Sequence, residues 1–229
     1  MVASRLGEPI GKGALVDQVT DRITSALIHG QLKPGDKLPT ENELITALDV
    51  GRSSVREAIK VLQAMGVVEV RRGDGTYVAS RVTEAAFNPM LYQLLLEPGT
   101  MEDLLELRVM FEPAFTQLAA RKATEEDFEK IRAVQKRLEG LAAEGKHKGE
   151  DDIAFHLAIL RATHNPYVIR IGEVILKMFV ESISRSSAKI PHTVVEDHRQ
   201  ICDALFCRDS AALNAAVLHS FQGWMNYQK

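Results

Sequence analysis

The fold is decided by GQLKPGDKLPTENEL at residues 30–44, followed closely by VGRSSVREAIKVL at residues 50–62. The Pro-Gly pair in the first segment predicts a tight turn, and the second proline stops any helix from continuing through it. Thr40 then acts as an N-cap, and Glu43 completes a capping box for a short helix. A turn at residues 49–51 leads into a longer helix. Two helices joined by a tight turn indicate a helix-turn-helix unit.

The flanking segments complete a small N-terminal head. Residues 14–29 carry apolar side chains at helical spacing, and Gly30 follows as a C-terminal capping glycine. After residue 66 the apolar period changes to two, around the glycine-rich segment RRGDGT at residues 71–76. That change predicts a β-hairpin. Three helices and a hairpin predict a winged helix-turn-helix.

Beyond residue 81 the strand patterns disappear and only helical periods remain. About seven helices are predicted there, at residues 83–96, 101–122, 124–144, 149–164, 167–187, 192–208 and 209–226. The chain is therefore predicted to be mainly α. We expect a winged helix-turn-helix DNA-binding domain at residues 10–80 and an all-α antiparallel helical bundle at residues 81–229.

The composition excludes several classes of protein. The 229 residues are 45% hydrophobic and 26% charged, which is ordinary for a soluble globular protein. No apolar run approaches the ~18 residues of a membrane span. The N-terminus lacks the apolar core of a signal peptide, so no membrane association and a cytoplasmic location are expected. Cys202 and Cys207 would lie on different faces of a helix, which predicts free thiols.

The charge pattern of the head suits local contacts with DNA. Residues 1–80 hold ten Lys and Arg and ten Asp and Glu, so any affinity for DNA requires clustered cations. The third helix and the hairpin supply such polar groups: Arg52, Ser53, Ser54, Arg56, Lys60, Arg71 and Arg72. An arginine fork can meet guanine or phosphate. The alternative interpretation, which the spacing of these residues fits equally well, is that they are ordinary solvated charges on the protein surface.

The two quoted segments resemble the signature of the GntR family of bacterial regulators, over about residues 14–79. The resemblance implies that the recognition helix contacts DNA through Arg52, Ser53, Ser54 and Arg56, and that Arg72 and Gly73 form the wing tip in the minor groove. The sequence departs from the family pattern at two positions. Asn42 stands where many members have an arginine, and Gly51 replaces the usual serine or threonine that opens the recognition helix.

The helical half contains a candidate metal-binding set. Asp152 and His156 are four residues apart and point the same way on a helix, while His198 and His219 lie on the last two helices among apolar neighbours. One aspartate and three histidines suit a borderline divalent metal. The alternatives are hydrogen-bonded core histidines and a surface ion pair between Asp152 and His156.

This half also resembles the FCD domain of the FadR-like branch of the family, over about residues 85–226. The resemblance rests on ELRVMFE at 106–112, DIAFH at 152–156, Asn165-Pro166, EDHRQI at 196–201 and AVLH at 216–219. It implies that a divalent ion of the Zn, Ni or Mn class is held by Asp152, His156, His198 and His219. It further implies that Arg108 meets the carboxylate of an organic acid, which a guanidinium can bind through two parallel hydrogen bonds.

The combined expectation is a ligand-responsive transcription regulator, acting as a repressor. Its partners would be a palindromic double-stranded operator, a small organic acid and a second copy of the chain, since a two-fold protein reads two half-sites. One alternative is a regulator whose effector is the metal ion itself. A metalloenzyme is disfavoured, because no general base lies beside the ligands and a hydrolase needs no winged helix.

Overall fold

The computed structural model describes residues 15–80, 91, 93, 94, 96–186 and 193–226. The chain divides into two compact units, Met1–Gln93 and Leu94–Lys229. The helix expected at residues 83–96 lies largely outside the described residues.

Residues 15–80 of the first unit form three helices and a two-stranded sheet: α1 (Leu15–Ile28), α2 (Glu41–Leu48), α3 (Arg52–Ala64), β1 (Val68–Arg71) and β2 (Gly75–Val78). The predicted capping box is present, because the Thr40 side chain accepts from the Glu43 N–H and the Glu43 carboxylate accepts from the Thr40 N–H. Gly30 ends the segment after α1 with φ of 69°, a left-handed conformation that glycine adopts without steric cost. These features confirm the helical head.

The hairpin is antiparallel, with Val68 opposite Val78 and Arg71 opposite Gly75. This register leaves residues 72–74 as the tip. The segment before α2 is tied to the hairpin, since the Leu38 N–H donates to the Thr76 carbonyl over 2.8 Å. One apolar core then joins the helices and the hairpin, with Ile23, Leu44, Val55, Leu62, Val68 and Val78 all buried. The predicted winged helix-turn-helix is thus confirmed.

Among the described residues of the second unit, all regular secondary structure is helical. Its helices are α4 (Met101–Lys122), α5 (Glu125–Ala143), α6 (Gly149–Arg161), α7 (Pro166–Ser186), α8 (Val194–Phe206) and α9 (Ser210–Asn226). Capping boxes at Thr100 and Thr124 start α4 and α5. None of the described helices is long and apolar enough to cross a membrane. Both cysteines are free, Cys202 buried and Cys207 exposed.

Helix α6 ends three residues before the predicted end at residue 164. His164 adopts φ of 48°, which an α-helix cannot continue through. The Asn165 side chain then accepts from the N–H groups of Tyr167 and Val168 at the start of α7. Pro166 is the first residue of α7. The N–H groups of the first turn of a helix have no partner within the helix, and proline suits this position because it has no N–H.

Helix α4 is central to the second unit, because it packs against α6, α7, α8 and α9. Fully buried phenylalanines come from four helices of this core: Phe115, Phe155, Phe179 and Phe221. Buried polar side chains lie in the same unit, namely Arg108, Glu112, Asp152, His156 and His198. Charged groups seldom occur at such depth without partners, which marks this part of the core as a candidate site.

Candidate metal centre and recognition helix

The recognition helix α3 presents its predicted DNA contacts on the surface. Arg52, Ser53 and Arg56 are exposed, and Ser54 is half-buried. Gly51 precedes the helix in an extended conformation and makes no side-chain cap hydrogen bond. The substitution at position 51 therefore leaves the first N–H groups of α3 without the hydroxyl cap that serine or threonine would supply.

Helix α2 braces both arginines of the recognition helix. Arg52 Nη2 donates to Asn42 Oδ1 over 2.9 Å, and Arg56 Nε donates to Glu41 Oε2 over 2.8 Å. An exposed ion pair of this kind contributes little to stability, so Arg56 can exchange it for DNA. Asn42, which stands where many GntR members carry an arginine, thus contacts an arginine predicted to bind DNA.

A small network of hydrogen bonds stabilises the wing tip. Asp74 accepts from Lys37 Nζ over 3.0 Å and from the Tyr77 hydroxyl over 2.9 Å. The Arg71 guanidinium lies 4.0 Å from the centroid of the Tyr77 ring. Arg72 makes no hydrogen bond or ion pair within the described residues, and Gly73 follows it with φ of 79°. The arrangement leaves Arg72 available to a ligand.

We expect Asn42→Ala to weaken operator binding by about 0.5–1.5 kcal/mol, which is the usual contribution of one hydrogen bond. The physical reason is that Arg52 loses its brace and must be ordered by the DNA alone. Fluorescence anisotropy at fixed salt measures the effect. Asn214→Ala, at an exposed position on α9, is the matched control. Equal affinities for Asn42→Ala and the control would contradict the bracing role.

The candidate metal centre brings together three of the four predicted ligands. Asp152 and His156 project from α6 and His198 from α8, and all three side chains are buried. The ligand atoms of these residues lie within 4.8 Å of one another. Phe155 stacks on the His198 ring with centroids 3.9 Å apart, which fixes the plane of that imidazole. The three side chains thus converge on one point in the core.

The polar atoms of this cluster fit a cation. Asp152 Oδ1 lies 3.1 Å from His198 Nε2 and 3.9 Å from His156 Nε2, but neither carboxylate oxygen of Asp152 has an aligned hydrogen bond. Two buried carboxylate oxygens without donors are costly. A divalent ion bound by this carboxylate and by two imidazole nitrogens would stabilise the buried charge, with ligand types that Zn, Ni and Mn accept.

His219 does not join this cluster in the structure. Its side chain is 57% exposed, and Nδ1 lies 3.2 Å from the Asp197 carboxylate. The reason is that His219 occupies an outward position on α9, beside a carboxylate that precedes His198 in α8. His219 as the fourth ligand therefore stays a prediction of the family resemblance.

Arg108 lies in the same buried region, where the side chain is 1% exposed. Its guanidinium stands 3.9 Å from the centroid of Phe179, and its Nε donates to Glu112. Arg108 Nη1 is buried without a hydrogen-bond partner. Because a buried guanidinium N–H without an acceptor is unfavourable, the free nitrogen suits an anionic ligand such as a carboxylate.

Glu112 was not predicted as a site residue, yet it joins the two parts of the site. One carboxylate oxygen accepts from Arg108, and the other lies 2.9 Å from His156 Nδ1. The spacing offered a signal, since Arg108 and Glu112 are four residues apart and share a face of α4 with Leu105 and Phe115. Two opposite charges on an otherwise apolar helix face indicate a buried ion pair.

Charge interactions keep both carboxylates of the cluster ionised. Burial alone would raise the pKa of Glu112, but Arg108 and His156 outweigh it and lower that pKa to about 2. Burial is likewise outweighed at Asp152, where His198, His156 and Arg108 hold the pKa well below its usual range. Burial lowers the pKa of His198, which favours the neutral imidazole that binds metals.

Comparisons with known proteins match both units. Residues 15–78 match the family model "Bacterial regulatory proteins, gntR family", and residues 103–223 match the FCD domain. The HTH-type transcriptional regulator LutR of Bacillus subtilis (strain 168) is 33% identical over 198 residues, covering 83% of this chain and 90% of that protein. The galactonate operon transcriptional repressor of Escherichia coli (strain K12) is 29% identical, covering 87% and 92%.

A solved structure supports the same assignment. Streptococcus agalactiae GntR is similar with a TM-score of 0.65 and 28% identity, covering 91% of this chain and 97% of that one. The proteins of this family are transcription regulators and not enzymes. With its winged helix-turn-helix and its helical ligand-binding unit, the chain belongs to the GntR family of bacterial transcription regulators, in the FadR-like branch that carries an FCD domain.

Proposed function

We propose that this regulator binds a palindromic operator as a homodimer and releases it when a small organic acid binds at a metal centre in the helical unit. Asp152, His156 and His198 would hold the ion, with His219 as the predicted fourth ligand, and Arg108 would bind the acid. The observation that carries the proposal is the pairing of unsatisfied buried groups. Both Asp152 oxygens and Arg108 Nη1 are buried in one core without an aligned hydrogen bond.

The two kinds of unsatisfied group call for ligands of opposite charge. The Asp152 carboxylate and the histidine nitrogens suit a divalent cation, which would supply a Lewis-acid site for the oxygens of the effector. Arg108 Nη1 suits a carboxylate oxygen. Its guanidinium plane is held over the ring of Phe179, so little side-chain freedom remains to be lost on binding. A molecule that carries a carboxylate and a second oxygen could satisfy both sites.

The name of one relative supports this choice of chemical class. That relative is the repressor of a galactonate operon, and galactonate carries a carboxylate with a hydroxyl group on the neighbouring carbon. A carboxylate and a hydroxyl on adjacent carbons can chelate a metal ion together. We therefore propose a small hydroxy acid as the effector and repression as the mode of action.

At the operator, the proposed contacts are Arg52, Ser53, Ser54 and Arg56 in the major groove and Arg72 with Gly73 at the wing. A homodimer would place two recognition helices on half-sites about one helical turn apart. Ligand binding can change operator affinity only if the acid has different affinities for the two states of the dimer.

Arg108→Lys tests the effector site in the full-length, metal-loaded protein. Lysine keeps the positive charge beside Glu112 but lacks the planar fork. The probes are galactonate and L-lactate, two acids with a hydroxyl group on the carbon next to the carboxylate, and we expect release by either to need about 10–100-fold more acid. Operator affinity without acid should not change. Arg121→Lys, at an exposed position on the same helix, is the matched control.

Anisotropy of labelled operator DNA reads the outcome. If Arg108→Lys and wild type respond to the acids at the same concentration, Arg108 is not the effector contact. Release of the operator on addition of metal alone, with no further effect of acid, would instead make the ion the effector. Turnover of either acid by the protein would contradict a purely regulatory role.

A further inference from the structure

We propose that Glu112 is a positioning residue that orients His156 toward Asp152 and links the metal centre to the anion-binding Arg108. The inference rests on the proposed metal centre and deepens it. Glu112 lies on α4 with its side chain 1% exposed, and both of its carboxylate oxygens are engaged. One accepts from Arg108 Nε, and the other lies 2.9 Å from His156 Nδ1.

The contact with Glu112 determines which nitrogen of His156 carries hydrogen. An ionised carboxylate can only accept, so His156 Nδ1 must donate. In the neutral imidazole, Nε2 then keeps the lone pair that a metal ion requires. Nε2 is also the ring nitrogen that faces the Asp152 carboxylate, at 3.9 Å. A carboxylate behind a ligating histidine is the arrangement that fixes the ring and increases its basicity toward a metal.

Glu112 also joins the two halves of the site physically. The same carboxylate holds Arg108, whose guanidinium is fixed against Phe179 and keeps Nη1 free. A shift of Arg108 toward an anion therefore acts on Glu112, and through it on His156. No side chain other than Glu112 contacts both Arg108 and His156 among the hydrogen bonds and ion pairs of the described residues.

A purely structural role for Glu112 would be to neutralise the buried charge of Arg108. The two roles differ in what they require of His156. If Glu112 only neutralises Arg108, either tautomer of His156 is possible, and replacing Glu112 should lower the stability of the protein without a separate effect on metal binding. Positioning requires hydrogen on Nδ1 and predicts weaker metal binding in a protein that stays folded.

The tautomer can be measured in wild-type, metal-free protein. Two-bond ¹H–¹⁵N correlation spectra of the histidine-labelled chain separate the two neutral tautomers and the imidazolium, and a His156→Gln sample assigns the signal. We expect His156 to carry hydrogen on Nδ1, the nitrogen that lies 2.9 Å from the Glu112 carboxylate. A neutral tautomer with hydrogen on Nε2 and none on Nδ1 would overturn the proposal.

Metal affinity of variants tests the consequence, with Zn²⁺ as the probe and a chromophoric chelator as the competitor. We expect Glu112→Ala to bind Zn²⁺ about 10–100-fold more weakly. Glu112→Gln should lose less, because its amide oxygen can still accept from His156 Nδ1. Glu106→Gln, at an exposed position on α4, is the matched control, and melting temperatures report folding.

The outcomes separate this inference from the metal centre itself. Zn²⁺ binding that is unchanged in a folded Glu112→Ala variant would overturn the positioning role and leave the metal centre intact. The Glu112→Ala variant could fail to fold, and two other results then decide. If Glu112→Gln binds Zn²⁺ as tightly as wild type, and wild-type His156 carries hydrogen on Nε2 instead of Nδ1, the positioning role is overturned and the metal centre is left intact. Wild type that takes up no Zn²⁺ contradicts the metal centre, while the tautomer still decides the orientation of His156.

Discussion

His198→Ala is expected to abolish stoichiometric metal in the purified protein. Wild type should carry about one ion per chain, because one carboxylate and two histidines are enough protein ligands for a metal whose remaining positions are open. Of the three buried ligands, the variant would keep Asp152 and His156, which come from a single helix. Elemental analysis after gel filtration measures the ratio, and the melting temperature of the metal-loaded protein should fall as binding energy is lost.

Two further histidine variants make this result specific. His29→Ala removes an exposed histidine of the first unit and should leave the metal content unchanged. His219→Ala should keep the ion, because the buried three-residue set is intact, and any loss of affinity would measure its role as fourth ligand. Metal content in His198→Ala equal to that in wild type would rule out the proposed centre.

Arg52→Ala and Arg56→Ala are each expected to weaken operator binding by about 1–3 kcal/mol, or roughly 5–150-fold, if the arginines contact bases. The effect should be large because the head carries no net charge over residues 1–80, so few cations attract DNA. Operator DNA selected from a random pool and read by anisotropy at fixed salt provides the measurement.

Lys130→Ala is the matched control for these arginines, since it removes one exposed cation from a helix of the second unit. It should leave operator affinity within about twofold of wild type, because Lys130 is not among the proposed DNA contacts. If Arg52→Ala and Arg56→Ala both match the control, the proposed recognition helix does not read the operator.

Much of the fold could be predicted because its signals are local. The capping box at Thr40 and Glu43, the glycine at position 30 and the change of period at the hairpin each depend on neighbouring residues only. The end of α6 was placed too late because His164 gives no composition signal for its left-handed backbone. Such a conformation in a residue other than glycine is fixed by its surroundings.

The candidate site was only partly predictable because it depends on packing between helices. Helical spacing placed Asp152 and His156 on one face, and the structure brings His198 to them. Spacing could not decide whether His219 turns inward, since that depends on the rotation of α9 against α8. It also could not reveal that Glu112, on α4, reaches His156 on α6.

The DNA contacts illustrate the same limit. The sequence placed Arg52 and Arg56 on one side of a helix, but their partners Asn42 and Glu41 are ten and fifteen residues away. Those pairings arise from the angle at which α2 packs on α3. The consequence of having asparagine at position 42 is therefore visible only in the folded head, where Asn42 accepts a hydrogen bond from Arg52.

Control of operator binding by an acid at a metal centre is tested most directly by titrating galactonate and L-lactate into full-length protein bound to labelled operator DNA. The titration is done once with protein loaded with Zn²⁺ and once with protein stripped by a chelator. We expect at least one acid to release the operator from the metal-loaded protein and to have no effect on the stripped protein. Operator affinity that neither acid changes in either form, or an equal response with and without metal, would contradict this mechanism.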